Sequence, residues 1–503
     1  MLVTVLAEKN YTALRQQIKD LIQITDAIEL RLDYLEDLDI AEIQQLKHDF
    51  SIPMIFTLRK KSQGGLFYQT EDQRLKILEK LAALAPEFID LEFDVPIEFA
   101  MMLKQQHPMI QLIRSYHDFE KTPDNLTEIL DQLRHDVFSI YKIVTFAQST
   151  CDCLNVLFFV NQAAPDIRLA GFCMGELGVA SRVLGPVVGG ALQYACVDDA
   201  GQVAPGQLSL STLLEFYRIR SMNSKTNIYA LIGSPAAVDK SAGHIVHNRA
   251  FEFLGQNAVY VKLGLEPTAL EVFFKLIKLL PFKGFSVTMP FKQDVMPYLD
   301  QIDPMANAIH SVNTVVIDKG KLMGYNTDAK GALDAIENKL LVAHKTVVII
   351  GAGGAARAIG HEAIKRQAKV VFINRTAKKA HELAEEMNCE GYGFDEIKQQ
   401  QSGYDVLVNT TPLGMSGQPN ALPIPEEFII PHRVVMDTVY NPIETLLLQK
   451  AQSLDCTLVY GYEMFINQAV QQLQLWFGVT NNLKPLQQIC SEAFEKSFTQ
   501  FKF

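Results

Sequence analysis

The sequence predicts an α/β protein in which a (β/α)8 barrel precedes two further α/β domains. At 503 residues, the chain is long enough for about three domains. Short apolar runs typical of strands alternate with amphipathic, helix-like segments through roughly the first 215 residues. A polar stretch at residues 220–227 then interrupts this alternation, and we expect a domain boundary there.

The first part of the chain contains eight strand-like runs. They begin at Leu2, Ala27, Met54, Phe88, Met109, Ser139, Asp166 and Ala191. Helix-like segments such as EIQQLKHDF and TEILDQLRHD lie between them. Eight such alternations favour a barrel, which typically takes roughly 250 residues, and a doubly wound sheet is the alternative topology. We predict that the barrel comprises residues 1–222.

Two further groups of strand-like runs follow the break. The first contains NIYALIG, AVYVKLG, GFSVTMP and TVVIDKGKLMGYNTD, and the second contains TVVII, VVFINRT, DVLVNTT, VVMDTVY and TLVYG. The segment from about residue 462 has a helical pattern and is expected to pack on the first group. We therefore predict a domain at 223–330, completed by helices at about 462–503, and another at 331–461.

Composition narrows the classes of partner. The chain is 48% apolar and 20% charged, and its net charge of −11 argues against general binding to nucleic acid or to an anionic membrane. Its apolar stretches are far shorter than the roughly 20 residues of a spanning helix, and no basic leader is evident, so we expect a cytoplasmic protein. The seven cysteines are odd in number and scattered, which suits reduced thiols better than a disulfide framework. We expect no metal site. Small molecules are the expected substrates.

Polar residues at strand ends identify a candidate site in the barrel, because reactive groups gather there in this fold. They are Glu29, Arg31, Arg59, Glu92, His117 and Lys142. Buried unpaired charges are costly, so this set indicates function rather than stability. Lys142 would attack a ketone to form a Schiff base, and His117 would move a proton beside it. The alternative is a lysine that snorkels from a strand end.

Several motifs in this region resemble type I 3-dehydroquinate dehydratase. They are Glu29-Leu-Arg31, Thr57-Leu-Arg59, Gly64-Gly65, Ser115-Tyr-His-Asp-Phe-Glu-Lys-Thr-Pro123, Tyr141-Lys-Ile143, Ser181-Arg182 and Ala204-Pro-Gly-Gln207. The resemblance implies that Lys142 forms the imine with 3-dehydroquinate, that His117 removes and returns the proton, and that Arg182 binds the carboxylate. It also implies substrate contacts for Glu29, Arg31, Arg59 and Gln207.

Two positions depart from the family pattern. Gln63 stands where the family usually has a glutamate that orients the catalytic histidine, and Val203 stands where it has serine or threonine. Glu92 is the candidate for orienting His117 instead. We expect these departures to lower the dehydratase rate.

A glycine-rich turn indicates a dinucleotide site of the Rossmann type. Gly351-Ala-Gly353-Gly354-Ala355 follows the strand KTVVII and opens a helix, and small residues there let the backbone approach a pyrophosphate. The next strand ends in Asn374-Arg375-Thr376 rather than in an acid. Because Arg375 would meet a 2′-phosphate, NADP is favoured over NAD.

The chain from about Asn227 onward resembles shikimate dehydrogenase. The resemblance rests on Ser286-Val-Thr288-Met-Pro-Phe-Lys292, Ser311-Val-Asn313-Thr, Gly324-Tyr-Asn-Thr-Asp328 and Gly461-Tyr-Glu-Met464-Phe-Ile-Asn-Gln468. It implies that Lys292 and Asp328 are the catalytic pair. The substrate contacts that it implies are Thr288, Asn313, Tyr440 and Gln468. The cofactor contacts that it implies are Gly351, Gly353, Gly354, Ala355, Asn374, Arg375, Thr376, Thr410, Gly461 and Met464.

The family's serine pair for the substrate carboxylate is altered. The loop after Gly233 is two residues longer than usual, and Ser241 takes one serine position by either direction of counting. Its partner is Asp239 or Gly243, with His244 as a further candidate. The second site could therefore prefer quinate, which carries one more hydroxyl at the ring carbon that bears the carboxylate.

The two halves resemble successive enzymes of one pathway, and their fusion resembles the bifunctional dehydroquinate dehydratase/shikimate dehydrogenase family. We therefore predict dehydration of 3-dehydroquinate to 3-dehydroshikimate and NADPH-dependent reduction to shikimate. The alternative is a catalytically weakened sensor that binds the same intermediates. Both reactive pairs, Lys142 with His117 and Lys292 with Asp328, argue against a sensor, which needs neither.

Overall fold

The structure, a computed structural model, describes residues 1–397 and 403–501. The chain divides into two compact units. The first comprises Met1–Ile228 and Gln256–Phe282, and the second comprises Tyr229–Gly255 and the described residues from Lys283 onward. The three domains predicted from sequence, with boundaries at residues 222 and 330, remain a prediction.

The first unit contains eight parallel strands in one sheet, in the order β7-β6-β5-β4-β3-β2-β1-β8. They are β1 (Leu2–Leu6), β2 (Ala27–Arg31), β3 (Met54–Thr57), β4 (Phe88–Glu92), β5 (Gln111–His117), β6 (Ile140–Phe146), β7 (Leu169–Met174) and β8 (Gln193–Cys196). Just before β8, the Ala191 amide donates to the Leu169 carbonyl at 2.8 Å, so the sheet is nearly closed. The barrel prediction is confirmed over the doubly wound alternative.

Seven α-helices follow the first seven strands. They are α1 (Tyr11–Leu21), α2 (Ile40–Asp49), α3 (Glu71–Ala82), α4 (Ile97–Gln106), α5 (Leu126–Leu133), α6 (Thr150–Ala163) and α7 (Val179–Leu184). The eighth predicted helix is instead a π-helical turn at Thr212–Phe216, which Arg218 ends with a left-handed φ of 51°. The first unit also holds β10 (Ala258–Gly264) and α10 (Leu270–Leu276). The Thr150 hydroxyl on α6 donates to the Gly264 carbonyl.

The second unit contains a mixed sheet with neighbouring strands β9-β11-β13-β14-β12. These are β9 (Asn227–Gly233), β11 (Phe282–Val287), β12 (Gln301–Ile302), β13 (Thr314–Asp318) and β14 (Lys321–Tyr325), with helices α8 (Pro235–Asp239), α9 (Gly243–Phe253), α11 (Pro304–Ala308) and α12 (Asp328–Glu337). The run TVVIDKGKLMGY, which we had treated as one strand, is an antiparallel hairpin. It turns at Lys319 and Gly320, which have φ values of 48° and 79°.

A second sheet of this unit is fully parallel, in the order β17-β16-β15-β18-β19-β20. Its strands are β15 (Thr346–Ile350), β16 (Lys369–Asn374), β17 (Glu390–Gly393), β18 (Val406–Asn409), β19 (Val434–Asp437) and β20 (Thr457–Val459), with helices α13 (Gly354–Lys365), α14 (Ala377–Glu386) and α15 (Leu446–Ser453). This strand order is that of a doubly wound Rossmann fold, as predicted.

The predicted helical end of the chain forms α16 (Gly461–Phe477) and α17 (Leu483–Phe501). On α16, the Gln472 side chain donates to the Thr314 hydroxyl and accepts from the Ser286 hydroxyl, each at 3.0 Å. Helix α16 therefore contacts strands β11 and β13 of the mixed sheet. No helix among the described residues is both long and apolar enough to span a membrane.

Candidate active sites

The amine of Lys142 lies buried at the mouth of the barrel. Its Nζ is 3.2 Å from Asp90 Oδ2, 3.5 Å from Glu29 Oε1 and 4.2 Å from the centre of the Tyr194 ring. Lys142 is only 5% exposed, so its side chain does not snorkel to solvent. Two carboxylates and an aromatic face compensate for burying the ammonium group.

Asp90 belongs to this site, although sequence reasoning singled out only Glu92 on the same strand. Residues two apart on a strand share a face, so two acids at this spacing on the buried strand β4 were the available signal. Asp90 accepts hydrogen bonds from Arg59 Nη2 at 3.0 Å and from Ser115 Oγ at 2.6 Å. Burial opposes its ionisation, but Arg59 and Lys142 hold the pKa of Asp90 below its ordinary value.

His117 is the last residue of strand β5. Its ring stacks on Phe119, with centroids 5.9 Å apart and planes 12° apart. Its Nδ1 atom is buried and has no hydrogen-bond partner within residues 1–397 and 403–501. Burial, reinforced by the cations of Arg59 and Lys142, lowers the pKa of His117 well below 6.5. The imidazole is therefore neutral at neutral pH.

Glu92 has a different partner from the one expected. It accepts a hydrogen bond from Arg74 Nη1 at 2.7 Å and another from the backbone amide of Lys60 at 3.2 Å. Arg74 lies on α3 and is fully buried, and it also donates to the carbonyl of Leu58 at 3.0 Å. Because both Glu92 oxygens are engaged in this way, the structure gives no support to an orienting role toward His117.

The remaining predicted barrel residues line one cavity with Lys142. Arg182 on α7 is 5% exposed and lies 4.6 Å over the Phe172 ring, and burial lowers its pKa to about 10. Gln207 accepts from the Val203 amide at 3.2 Å, and Arg31 is paired with Asp33 at 2.8 Å. The polar residues lining the cavity are Glu29, Arg31, Arg59, Gln63, His117, Lys142, Arg182, Tyr194 and Gln207. A buried amine, an imidazole and several guanidinium groups thus converge on one cavity, which is an arrangement suited to a nucleophile, a base and an anionic ligand.

A second reactive pair lies in the second unit. Lys292 Nζ is 2.5 Å from Asp328 Oδ2, and these side chains are 32% and 15% exposed. Asp328 is the first residue of α12, where the helix N-terminus favours a carboxylate. The pair is therefore accessible to a ligand and close enough to exchange a proton.

Hydrogen-bonding side chains lie next to this pair in the chain: Asn313 follows Val312, whose amide donates to the Lys292 carbonyl at 2.8 Å, and Thr327 precedes Asp328. Asn313 Nδ2 donates to Thr327 Oγ1 at 3.0 Å and to Gln468 Oε1 at 3.3 Å. Thr288 follows the end of β11, and its amide donates to the Ile232 carbonyl at 2.8 Å. Tyr440 instead packs against Phe465 and Phe494, with ring centroids 5.5 and 6.0 Å apart.

The altered serine region lies at the start of α9. Ser241 is 8% exposed, and its hydroxyl accepts from the Gly243 amide at 3.0 Å. Asp239 is exposed at the end of α8, whereas His244 is buried in the first turn of α9.

The glycine-rich turn between β15 and α13 forms a cleft. Gly351 has a φ of 117°, and a Cβ there would lie 2.4 Å from Thr410 Oγ1. A Cβ on Gly353 or Gly354 would meet no atom within 4 Å, so open space faces the N-terminus of α13. A dinucleotide pyrophosphate fits this cradle. The cleft holds about 280 Å³ and is lined by Gly351, Ala352, Gly353, Asn374, Arg375, Thr376, Lys379, Thr410, Thr411 and Pro412.

Sequence reasoning missed Lys379, a second cation that lies beside Arg375 in this cleft. The signal was a lysine in the first turn of α14, four residues after Arg375. The other predicted cofactor residues lie elsewhere in the unit. Ala355 is in the first turn of α13. A Cβ added at Gly461 would lie 2.4 Å from the Val439 carbonyl, and one added at Gly331 would lie 3.0 Å from the Met464 carbonyl.

Together these features define a class of protein. A (β/α)8 unit with a buried, base-flanked lysine is suited to Schiff-base chemistry, and a Rossmann sheet beside a Lys–Asp pair is suited to nicotinamide-dependent reduction. The chain therefore combines a lyase with a dehydrogenase.

Comparisons with known proteins identify the family. Residues 2–224 match the family model of type I 3-dehydroquinase, 231–315 that of the shikimate dehydrogenase substrate binding domain, and 334–413 that of shikimate/quinate 5-dehydrogenase. The chain is 34% identical to the bifunctional 3-dehydroquinate dehydratase/shikimate dehydrogenase of Arabidopsis thaliana, over 90% of this chain and 78% of the relative. It is also 34% identical to the shikimate biosynthesis protein AroDE of Chlamydia pneumoniae, over 95% of each chain.

A solved structure agrees with the second half of the chain. A shikimate dehydrogenase crystallised with NADP+ superposes with a TM-score of 0.50 at 37% identity, covering 54% of this chain and 96% of that one. The chain belongs to the family of bifunctional 3-dehydroquinate dehydratase/shikimate dehydrogenases.

Proposed function

We propose that the barrel dehydrates 3-dehydroquinate to 3-dehydroshikimate, and that the second unit reduces this product to shikimate with NADPH. Residues 1–222 would carry the first activity and the remainder the second. The observation that carries the proposal is the buried amine of Lys142, which lies beside a histidine with a lowered pKa. We further propose that the protein works in the cytoplasm, because its seven scattered cysteines suit thiols better than a disulfide framework.

In the first reaction, Lys142 attacks the ketone carbon and water leaves, which gives an imine. Glu29 and Asp90, within 3.5 Å of Nζ, are the acceptors for the proton that the ammonium group must lose. The imine acts as an electron sink, so His117 can remove a proton from the adjacent carbon. His117 then returns a proton to the departing hydroxyl, and hydrolysis of the imine frees Lys142.

Substrate binding in the barrel rests on charge and shape. Arg182 is a buried cation without a paired carboxylate among the described residues, so it is the group best suited to the carboxylate of the substrate. Arg59 is already paired with Asp90, and it would add hydrogen bonds to ring hydroxyls together with Glu29, Arg31 and Gln207. These contacts hold the ketone carbon against Nζ.

In the second reaction, NADPH, when bound, would supply the hydride that the carbonyl carbon of 3-dehydroshikimate gains. Lys292 and Asp328 handle the proton that the 3-oxygen gains, because their 2.5 Å contact lets one resupply the other. Thr288, Asn313 and Gln468 would hold ring hydroxyls, and Ser241 the carboxylate. Arg375, with Lys379 beside it, would bind the 2′-phosphate, which favours NADP.

Quinate is a second candidate for the ring substrate, because the matching family model covers both shikimate and quinate dehydrogenases and the serine region is altered. Steady-state rates with shikimate and quinate, each with NADP and NAD, decide between them. Faster turnover with NAD would contradict the role given to Arg375.

Borohydride trapping tests the proposal for the barrel. With 3-dehydroquinate present, the wild-type chain should gain the mass of the reduced adduct on Lys142. Lys142→Met should show no adduct, and formation of the conjugated enone, followed by ultraviolet absorbance, should fall at least about 1000-fold because the covalent route is lost. The dehydrogenase rate of the same sample is the control for folding. Enone formation at the wild-type rate in this variant would refute the scheme.

A further inference from the structure

Tyr194 is a buried residue of the barrel cavity to which the mechanism above gives no part. It lies on β8 and is 5% exposed. Its ring centre is 4.2 Å from Lys142 Nζ, and its ring is tilted against that of Phe172 at 5.7 Å. The aromatic face therefore forms part of the wall against which the reacting amine rests.

The hydroxyl of Tyr194 is buried but has no hydrogen-bond partner in the described part of the chain. Leaving such a group unsatisfied is energetically costly, so native proteins rarely do so unless a ligand or water binds there. Burial, together with the charges of Glu29 and Asp90, raises the pKa of Tyr194 well above 10. The hydroxyl thus stays protonated and available as a donor.

A neighbouring tyrosine shows the usual outcome for a buried hydroxyl. Tyr141 is on β6 and 7% exposed, and its hydroxyl donates to the His135 carbonyl and accepts from the His135 amide, each at 3.0 Å. Tyr194 differs because its hydroxyl belongs to a residue that lines the cavity, where His117 Nδ1, Arg182 Nε and Gln63 Oε1 are also unpartnered among the described residues. Four such atoms from one cavity indicate a polar ligand.

We propose that Tyr194 is a substrate-contacting residue of the dehydratase site, whose ring supports the Lys142 amine and whose hydroxyl donates a hydrogen bond to an oxygen of the bound cyclic hydroxy-acid ketone. This inference rests on the proposed function of the barrel. A phenylalanine would fill the same space and support the amine equally, so only the hydroxyl adds recognition of an oxygen-bearing ligand.

The test separates the hydroxyl from the ring. Tyr194→Phe should raise the KM for 3-dehydroquinate about 5- to 15-fold, the factor that one hydrogen bond of about 1–1.5 kcal/mol represents, with kcat changed less than about 2-fold. Tyr194→Leu should also lower kcat and slow borohydride trapping, because the ring that supports Lys142 is gone. Tyr141→Phe, which removes a paired hydroxyl, should lower the melting temperature and leave KM and kcat unchanged.

Two results would overturn the inference. One is a Tyr194→Phe variant with wild-type KM and kcat, and the other is a parallel loss of its dehydratase and dehydrogenase rates, which would mean that the hydroxyl supports the fold and not substrate binding. Both leave the proposed function intact provided that the wild-type chain still forms its borohydride adduct. A wild-type chain that forms no adduct would instead contradict the proposed function itself.

Discussion

The reacting lysine of the barrel lies in a row of alternating charges. Glu29 and Asp90 contact Lys142, Arg59 contacts Asp90, and Glu92 lies 3.7 Å from Arg59. Removing one member of such a buried row would leave its neighbour uncompensated, which typically costs about 3–5 kcal/mol. The row therefore holds the amine in place and makes the strand ends sensitive to single substitutions.

The lowered pKa of His117 makes a prediction for the pH dependence of the dehydratase. Because burial, Arg59 and Lys142 disfavour the imidazolium, the base stays neutral below its ordinary pKa of 6.5. The acid limb of kcat/KM should therefore lie below pH 6.5, as measured by initial rates of enone formation between pH 5 and 8. The dehydrogenase rate of the same samples checks that the enzyme stays folded. A limb at or above pH 6.5 would contradict the prediction.

The lowered pKa of His117 also makes the free energy of unfolding depend on pH. His117 accepts a proton more readily when the chain is unfolded, so its contribution favours the native state above pH 6.5 and is lost as the pH falls through that value. Acid therefore weakens the fold through this residue before it removes the catalytic base.

Sequence alone predicted that Lys142 and His117 lie at one site, but it did not predict the partners of the side chains around them. Lys142 and His117 could be predicted because strand ends of a barrel point to one mouth. The pairing of Glu92 with Arg74 could not, because it joins a strand to a helix 18 residues away through side-chain geometry. The spacing of Asp90 from Glu92 was a sequence signal for a shared face, but its contacts with Arg59 and Lys142 are visible only in the structure.

At the scale of elements, the turn from β15 to α13 gives the cofactor cleft its shape. Gly351→Ala should lower both the melting temperature and NADPH binding, because its φ of 117° disfavours a side chain and the new Cβ would meet Thr410. A Cβ added by Gly353→Ala would contact no atom of the folded chain, so this variant should keep the wild-type melting temperature. It should nevertheless bind NADPH at least about 10-fold more weakly, because the new methyl group would occupy the space of the pyrophosphate. Calorimetry and NADPH titration measure both effects.

A glycine elsewhere in the same unit serves as the matched control. Gly320 has a φ of 79° at the β13–β14 turn, with nothing within 4 Å of an added Cβ. Gly320→Ala should reduce stability by about 1 kcal/mol and leave NADPH affinity unchanged. Unchanged NADPH affinity in Gly353→Ala would contradict the cradle.

The elements that sequence missed lacked the usual patterns. Strand β17 reads Glu-Gly-Tyr-Gly and has no β-branched residue, so nothing local marks it as a strand. The β13–β14 hairpin turns at Lys319 and Gly320, between two short apolar runs that lie only a few residues apart. By contrast, the eight barrel strands and the glycine turn carried strong local signals and were predicted correctly.

At the scale of the whole molecule, two complete sets of reactive groups lie in two separate units. Lys142→Met should therefore lose only the dehydratase activity, and Lys292→Met should lose only the dehydrogenase activity by at least about 100-fold, with the other activity within 2-fold of wild type. An equimolar mixture of the two variants with NADPH should still convert 3-dehydroquinate to shikimate, as followed by chromatography.

Failure of this complementation would refute the independence of the two sites. Dehydratase activity of Lys292→Met and dehydrogenase activity of Lys142→Met, assayed separately, show whether each variant is folded. If either substitution silenced both reactions, the two units would have to depend on each other for their structure.

Arg74 links helix α3, on the outside of the barrel, to the charged residues around Lys142. It sits on an outer helix, yet its guanidinium group is fully buried and bonds to Glu92, which itself lies next to Arg59. Helix α3 therefore does more than bury one face of the sheet. Its Arg74 is the last member of the row of charges that runs through Glu92, Arg59 and Asp90 to Lys142. Substitutions on this helix that are made for stability or solubility would therefore also change the charges around the Lys142 amine.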